Sequence, residues 1–416
     1  MISEFHESLP RCDVMNRNLG IALDTKKVIT LSGPRRCGKS FYIFQLINEL
    51  FNQERGNQSI YINFGDARLD FSSAPMQLIL EAYYELYPEN RDKDLYLFFD
   101  DIHVVNDWEK IVLRLYDTVS KNIIVTSTST KLLENTTSFR GRCQGYHLFP
   151  LSFVEFCKFQ DITLSDVDSA RDKSLVKAQF EEYIKFGGYP ETIFMDKEFT
   201  QKTLQSYFDL MVFRDVVTRH KVSNVPILTQ FLKSMLSHIA ETLSVRQVYN
   251  ELKKQDSLLS KYAIEDYFNY GLDCFLLFML IPYEPSDVNQ PENTKKFYAV
   301  DTGLVNALTL RFIQDWGKLL ENIVFLQLLR EEKAVYYLKD EFECDFIVKK
   351  NASITEAVQV CPSLRALPTR QREIRGLMQA LDRFNLSEGT ILTLDEEEEL
   401  VVHDKKLWFD PAGNGW

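Results

Sequence analysis

No Cys-x-x-Cys pair occurs in this chain, whose seven cysteines, Cys12, Cys37, Cys143, Cys157, Cys274, Cys344 and Cys361, are scattered. That spacing argues against a disulfide framework and fits a reducing, cytoplasmic compartment. The six histidines, His6, His103, His147, His220, His238 and His403, show no ligand spacing with the cysteines, so no zinc pattern emerges. A Gly-x-Ser-x-Gly elbow is absent, and no cysteine stands in a nucleophile context. The opening Met1-Ile2-Ser3-Glu4-Phe5-His6 lacks the charged and apolar regions of a secretion signal, so export is not expected. The longest apolar run, near 275–281, is far shorter than the about 20 residues a membrane helix needs. Positive charge is also scarce: 48 Lys and Arg against 60 Asp and Glu leave a net charge of −12. That balance excludes sequence-blind binding of nucleic acid through a broad basic face, though not through a local patch. No internal repeat is found, and the only low-complexity tract is Asp395-Glu396-Glu397-Glu398-Glu399, which reads as a solvated loop.

What is present is ample core. The 416 residues are 45% hydrophobic and 13% aromatic, with an ordinary charged fraction of 26%, and at about 150 residues per domain the length suggests two to four domains.

The densest local signal is Val28-Ile29-Thr30-Leu31-Ser32-Gly33-Pro34-Arg35-Arg36-Cys37-Gly38-Lys39-Ser40, a β-branched strand leading into a glycine-bracketed loop that ends in Lys-Ser. Glycines at 33 and 38 allow positive φ and turn successive N–H groups inward, and the helix that follows points its positive end at the same place. The pattern predicts a phosphate-binding loop that takes ATP. Gly33, Pro34, Arg35, Arg36, Cys37, Gly38, Lys39, Ser40 and Phe41 form the cradle, Lys39 reaches the β- and γ-phosphates, and Ser40 holds Mg²⁺.

From about 10 to 155 the sequence alternates apolar strands (27–31, 59–64, 95–99, 122–126) with amphipathic helices (39–52, 75–87, 108–120), which predicts a mostly parallel sheet wound with helices. A helical stretch then runs to about 222, broken at Gly187-Gly188-Tyr189-Pro190. Residues 225–300 read as helices closed by two strands, 275–282 and 296–300, the order of a winged helix-turn-helix, with Ser244 capping 245–254 and Ser260 capping 261–272. The prospective recognition helix carries Glu265, Asp266 and Asp273 against Lys261, which favours a spacer or interaction role over reading DNA.

Beyond the loop, Leu95-Tyr96-Leu97-Phe98-Phe99-Asp100-Asp101 is a Walker B segment. Asp100 is expected to contact Mg²⁺ and Asp101 to orient or deprotonate the attacking water. A shorter carboxylate than the glutamate usual at the second position puts the hydrolysis rate in question. The hydroxyl cluster after the next strand, 126–130, includes Thr128, read as a γ-phosphate sensor. Arg140 and Arg142 precede a further strand. Either an arginine finger supplied in trans, which needs a homo-oligomer, or a surface pairing with acidic neighbours fits them.

Taken in order, these motifs resemble a family of AAA-type ATPases of bacteria and archaea that carry a C-terminal domain related to PD-(D/E)xK nucleases. The resemblance continues through Pro150-Leu151-Ser152-Phe153-Val154-Glu155-Phe156, Gly187-Gly188-Tyr189-Pro190-Glu191, Phe213-Arg214-Asp215-Val216, Tyr298-Ala299-Val300-Asp301-Thr302-Gly303-Leu304 and Leu319-Leu320-Glu321-Asn322. It implies an α/β chain with a P-loop AAA-type core and parallel sheet (1–155), a helical lid (156–222), a winged-helix segment (223–300) and a restriction-endonuclease-like α/β domain (301–416). For that last domain the resemblance implies a helix Glu, met by Glu321, and a strand Asp, met by Asp345 in Glu343-Cys344-Asp345-Phe346. Its acidic-x-Lys element is missing: Gln359 and Cys361 stand there, and Glu356 falls on the opposite face of the strand. Losing a carboxylate and the ammonium together predicts no nuclease activity.

The function expected is thus a Mg²⁺-dependent ATPase that couples nucleotide state to movement of its C-terminal domains. The alternative is a slow nucleotide-gated switch that binds a protein or DNA partner. No membrane association is expected.

Overall fold

The computed structural model describes residues 5–7, 9, 14–66, 76–131, 139, 141–164, 169–243, 245–254, 259–283, 295–309 and 315–414. Ser244 and Arg140 lie outside them. The chain divides into two compact units, Met1–Phe149 with Asp273–Phe275, and Pro150–Leu272 with Leu276–Trp416.

In the first unit, runs of β-branched and aromatic residues with no polar interruption become strands covered on both faces: Val28–Ser32 (β1), Ser59–Asn63 (β2), Tyr96–Asp100 (β3) and Asn122–Ser127 (β4). The strand expected after Arg142 is Cys143–His147 (β5). All pairings are parallel and the order is β2-β3-β4-β1-β5. The helices Lys39–Asn52 (α1), Met76–Leu86 (α2) and Trp108–Thr118 (α3) wind it. One core lies on each side of the sheet: Leu97, Phe99 and Val125 face one, while Ile29, Leu31 and Phe98 face the other with α1. Because side chains alternate along each strand, β3 feeds both cores and still delivers Asp100 to the loop end of the sheet.

The second unit begins with helices Phe153–Phe159 (α4), Ala170–Phe186 (α5) and Lys197–Leu210 (α6), the last continuing as a π-helix over Met211–Thr218. The Ser152/Glu155 pair forms a reciprocal capping box that starts α4. Helices Val225–Ser237 (α7), Val245–Lys253 (α8) and Lys261–Asp273 (α9) follow. Ser260 Oγ accepts from Ala263 N at 3.1 Å, as a cap does. Strands Thr242–Leu243 (β6), Leu277–Leu280 (β7) and Lys295–Ala299 (β8) form a three-stranded antiparallel sheet of order β6-β8-β7.

Helices Thr302–Leu308 (α10) and Trp316–Arg330 (α11) lead to a six-stranded mixed sheet. Its strands are Ala334–Lys339 (β9), Glu343–Lys350 (β10), Ser353–Val360 (β11), Glu388–Thr393 (β12), Glu398–Val402 (β13) and Lys405–Pro411 (β14), in the order β13-β14-β12-β11-β10-β9. Helix Leu367–Phe384 (α12) makes the crossover between the parallel strands β11 and β12. Among the described residues no helix is long and apolar enough to cross a membrane.

The acidic run is a loop through Glu397 with Glu397–Glu399 exposed, as its composition suggests, and each of four of its carboxylates has a basic neighbour. Asp395 pairs with Lys177 at 2.6 Å, Glu397 with Lys173 at 3.1 Å, Glu398 with Arg370 at 2.6 Å and Glu399 with Lys406 at 3.5 Å, and Glu398 opens a strand. Basic residues distant in sequence neutralise it, which composition alone does not reveal.

Two motifs far apart in sequence meet at Gly187. Asp301 caps α10 and accepts from Gly188 N at 2.7 Å and Leu304 N at 2.9 Å, while burial pushes its carboxyl up to about 6. Gly187 has φ 76 and ψ −166, and a Cβ there would lie 2.0 Å from Asp301 Oδ1. Gly187→Ala is therefore expected to destabilise this unit by about 2–5 kcal/mol, the sum of backbone strain and overpacking. Urea unfolding of the variant checks it; a change below about 0.5 kcal/mol would mean that the close approach is relieved elsewhere.

Candidate functional site

At the end of β1 the chain leaves a fully buried strand and wraps into the loop 33–40, which α1 closes. Gly38 has φ 102, as expected, but the other left-handed residue of the loop is Arg36, with φ 67, and not Gly33. Gly33 is required for a different reason. A Cβ there would stand 2.1 Å from Leu148 O, so a side chain cannot fit between β1 and the strand beside it. Gly33 N donates to Ser127 O and Leu148 N to Ser32 O, which ties the loop to the strands on either side.

The ammonium of Lys39 is folded into its own loop, donating to Gly33 O at 3.0 Å and Pro34 O at 2.8 Å, and the residue is only 7% exposed. Cys37 is fully buried, and burial pushes its thiol pKa up, so it packs as an apolar residue. Phe41 is exposed on α1 and its ring meets Phe44 edge-on at 5.7 Å. Arg17, which no sequence pattern singles out, supports the loop from beneath: Nη1 donates to Cys37 O and Nη2 to Phe149 O, both at 2.9 Å.

Asp100 lies where three hydroxyls converge. Ser40 Oγ donates to its Oδ2 at 2.5 Å, Tyr61 OH to the same oxygen at 3.0 Å, and Thr126 Oγ1 to Oδ1. Burial, then Asp100, push the Tyr61 phenol pKa up, so it stays a donor. Asp101 follows with φ 52, a left-handed conformation that aspartate tolerates, and its N–H donates to Thr126 Oγ1 at 2.9 Å. Such a carboxylate surrounded by neutral donors and within reach of a loop hydroxyl has a donor set that a hydrated divalent cation could use.

The hydroxyl cluster after β4 divides between two carboxylates. Thr126 supplies the hydroxyl on Asp100, while Ser129 Oγ reaches Asp273 Oδ1 at 2.6 Å and Thr130 Oγ1 reaches it at 3.2 Å. Thr128 is buried in the turn between them. Asp273 is thus buried against this turn. Arg142 is placed differently from a residue serving its own phosphate loop. Its carbonyl accepts from Val28 N at the start of β1, and its guanidinium donates to Asp117 at 2.9 Å. One strand length, about 13 Å, separates it from the loop end of the sheet.

In the second unit, Glu321 and Asp345 do converge, on the ammonium of Lys296. Nζ lies 2.9 Å from Glu321, 3.2 Å from Asp345 and 2.6 Å from Glu343, and Lys296 is 2% exposed. Gln359 is the β11 residue beside Asp345, accepting from its N–H at 3.1 Å and donating to Glu373 at 2.6 Å, whereas Glu356 pairs with Lys333 at 2.7 Å. Lys296, Glu321, Glu343, Asp345, Gln359 and Glu373 line a cavity of about 460 Å³ together with Arg372 and Lys318. With three carboxyl groups around one ammonium, negative charge is in excess. Burial tends to lower the Lys296 pKa, but Glu321 and its neighbours outweigh that and raise it. Burial and then Glu321 push the Asp345 carboxyl up to about 8.

Residues 25–157 match the family described as an AAA domain, and residues 177–315 match one described as a domain of unknown function, DUF8612. A protein of Methanocaldococcus jannaschii, described as uncharacterized protein MJ1544, is 33% identical over 96% of this chain and 90% of its own length. An uncharacterized protein of Haemophilus influenzae is 28% identical over 87% of this chain and 88% of its own. Among solved structures, the Walker-type ATPase PABY2304 of Pyrococcus abyssi is 14% identical, with a TM-score of 0.43, covering 74% of this chain and 95% of that one. The AAA-domain match supports an ATPase-type, nucleotide-binding core in the first unit.

Proposed function

The chain belongs to the family of the Methanocaldococcus jannaschii protein MJ1544, and on that premise we propose that it is a Mg²⁺-dependent ATPase of the AAA type. The observation that carries the reading is the 2.5 Å contact between Ser40, at the end of the loop 33–40, and Asp100. Backbone N–H groups of the loop 33–40 would cradle the phosphates, and Lys39 would exchange its carbonyl partners for phosphate oxygens. Ser40 and Asp100 would hold Mg²⁺, which neutralises phosphate charge when bound. Asp101 orients the attacking water and accepts its proton. Nucleotide state is then passed to the C-terminal domains, in which the segment 223–300 is read as a winged helix and 301–416 as a nuclease-like fold without nuclease activity.

Steady-state ATP hydrolysis, alone and with duplex or single-stranded DNA, tests this. Asp101→Asn is expected to keep ATP binding and to slow turnover by about a hundredfold or more; undiminished hydrolysis in that variant would remove Asp101 from the chemistry. A second reading, a slow nucleotide-gated switch with a protein or DNA partner, is favoured by the short Asp101 side chain and by Lys296, which already occupies the acidic site of the second unit. Turnover far below once per minute, with an ATP-dependent change in oligomer size, is the result it predicts, and indifference of that slow rate to DNA would point to a protein partner. Fast turnover without a change in oligomer size is the result that would overturn it.

A further inference from the structure

We propose that Tyr61 is a positioning residue for Asp100, the carboxylate that would hold Mg²⁺, an inference that rests on the ATP-binding reading above. Tyr61 stands on β2, the strand paired with β3, and its ring is fixed from two sides. Phe5 stacks on it at 4.8 Å with an interplanar angle of 16°, and Phe44 of α1 meets it edge-on at 5.2 Å. An aromatic ring so enclosed has little freedom about its side-chain torsions, and its hydroxyl is delivered to one point, 3.0 Å from Asp100 Oδ2.

The two oxygens of Asp100 differ in how they are held. Thr126 bonds Oδ1, while Oδ2 is shared by Ser40 and Tyr61. Ser40 belongs to the phosphate loop and serves the bound nucleotide. Whatever Ser40 engages, Tyr61 and Thr126 retain one oxygen each and keep the carboxylate plane aimed at the loop. Tyr61 comes from a different strand than either Walker segment, and in sequence it is only one aromatic among nineteen tyrosines.

The test uses the full chain and Tyr61→Phe, which keeps the ring packing and removes the hydroxyl. Two affinities are measured: a fluorescent ATP analogue in EDTA, and Mn²⁺ by electron paramagnetic resonance with a non-hydrolysable ATP analogue present. The expected result is a metal-free nucleotide affinity within about twofold of the parent and an Mn²⁺ affinity about tenfold weaker, since a hydrogen bond to a charged group is lost. The Mg²⁺ concentration for half-maximal hydrolysis should rise by the same factor, with KM for ATP at saturating Mg²⁺ unchanged. Unchanged Mn²⁺ affinity in a variant whose parent binds both ligands overturns the role of Tyr61 alone. Equal weakening of both affinities assigns Tyr61 to packing and overturns it as well. If the parent chain, like Lys39→Ala, fails to bind the analogue, the ATP reading fails and the inference falls with it.

Discussion

Replacing Lys39 by alanine is expected to weaken ATP binding by at least about a hundredfold, measured by titration calorimetry. Each hydrogen bond to a charged group is worth about 1.5–3 kcal/mol, and the ammonium supplies two or more to phosphate oxygens. Lys39 makes that exchange readily because its two partners in this structure, the carbonyls of Gly33 and Pro34, are neutral and belong to the loop itself. The fold should survive. Those carbonyls lie in a loop that the bonds of Gly33 N and of the Arg17 guanidinium also hold. An affinity within threefold of the parent, in a protein with an unchanged melting temperature, would overturn the phosphate-loop reading.

Lys296→Met should have the largest effect on stability. Methionine keeps the length of the side chain but leaves Glu321, Glu343 and Asp345 facing one another around an apolar group, and removing one partner of a buried ion cluster costs about 3–5 kcal/mol. The loss should depend on pH with a definite sign. Asp345 has a folded-state pKa raised to about 8, so the folded state holds a proton that the unfolded state releases above its ordinary carboxylate value. Its contribution is complete below about 4 and is lost as pH rises through 8. Lys296 lowers the Asp345 pKa, so without it Asp345 holds its proton more tightly still and the variant should recover part of its stability in acid. Hydrogen exchange of β10 and β11 at pH 5 and pH 8 measures this. Protection equal to the parent's at both values would show that the ammonium contributes nothing net.

The first unit was largely legible. Strand positions predicted from apolar runs lie within a residue or two of those observed, because strands buried on both faces must be apolar throughout and turn residues must bracket them. Helix α1 begins and ends as expected, since the phosphate loop fixes its start. Everything after Phe149 except Asp273–Phe275 lies in one compact unit, where Asp301 bonds a glycine 113 residues before it, a contact that no motif spacing marks.

The site in the second unit illustrates the limit most clearly. The sequence singled out Glu321 and Asp345 and has Gln359 and Cys361, not lysine, at the end of β11. The ammonium arrives from β8, 25 residues before one partner and 49 before the other. No motif spacing marks it; the only signal was a lysine opening an otherwise apolar strand, 296–300.

By itself the sequence determined the strand–loop–helix at 28–52, the strand ending in Asp100 and the parallel core, because each depends on backbone conformation or side-chain alternation within a few consecutive residues. Only the tertiary structure decided which groups share a site. Arg17 lies under the loop, Tyr61 on Asp100, Asp273 against the hydroxyl turn and Lys296 among three carboxylates. Those contacts arise where distant elements are packed against one another, and a buried charge or hydroxyl takes as its partner whatever that packing brings within about 3 Å.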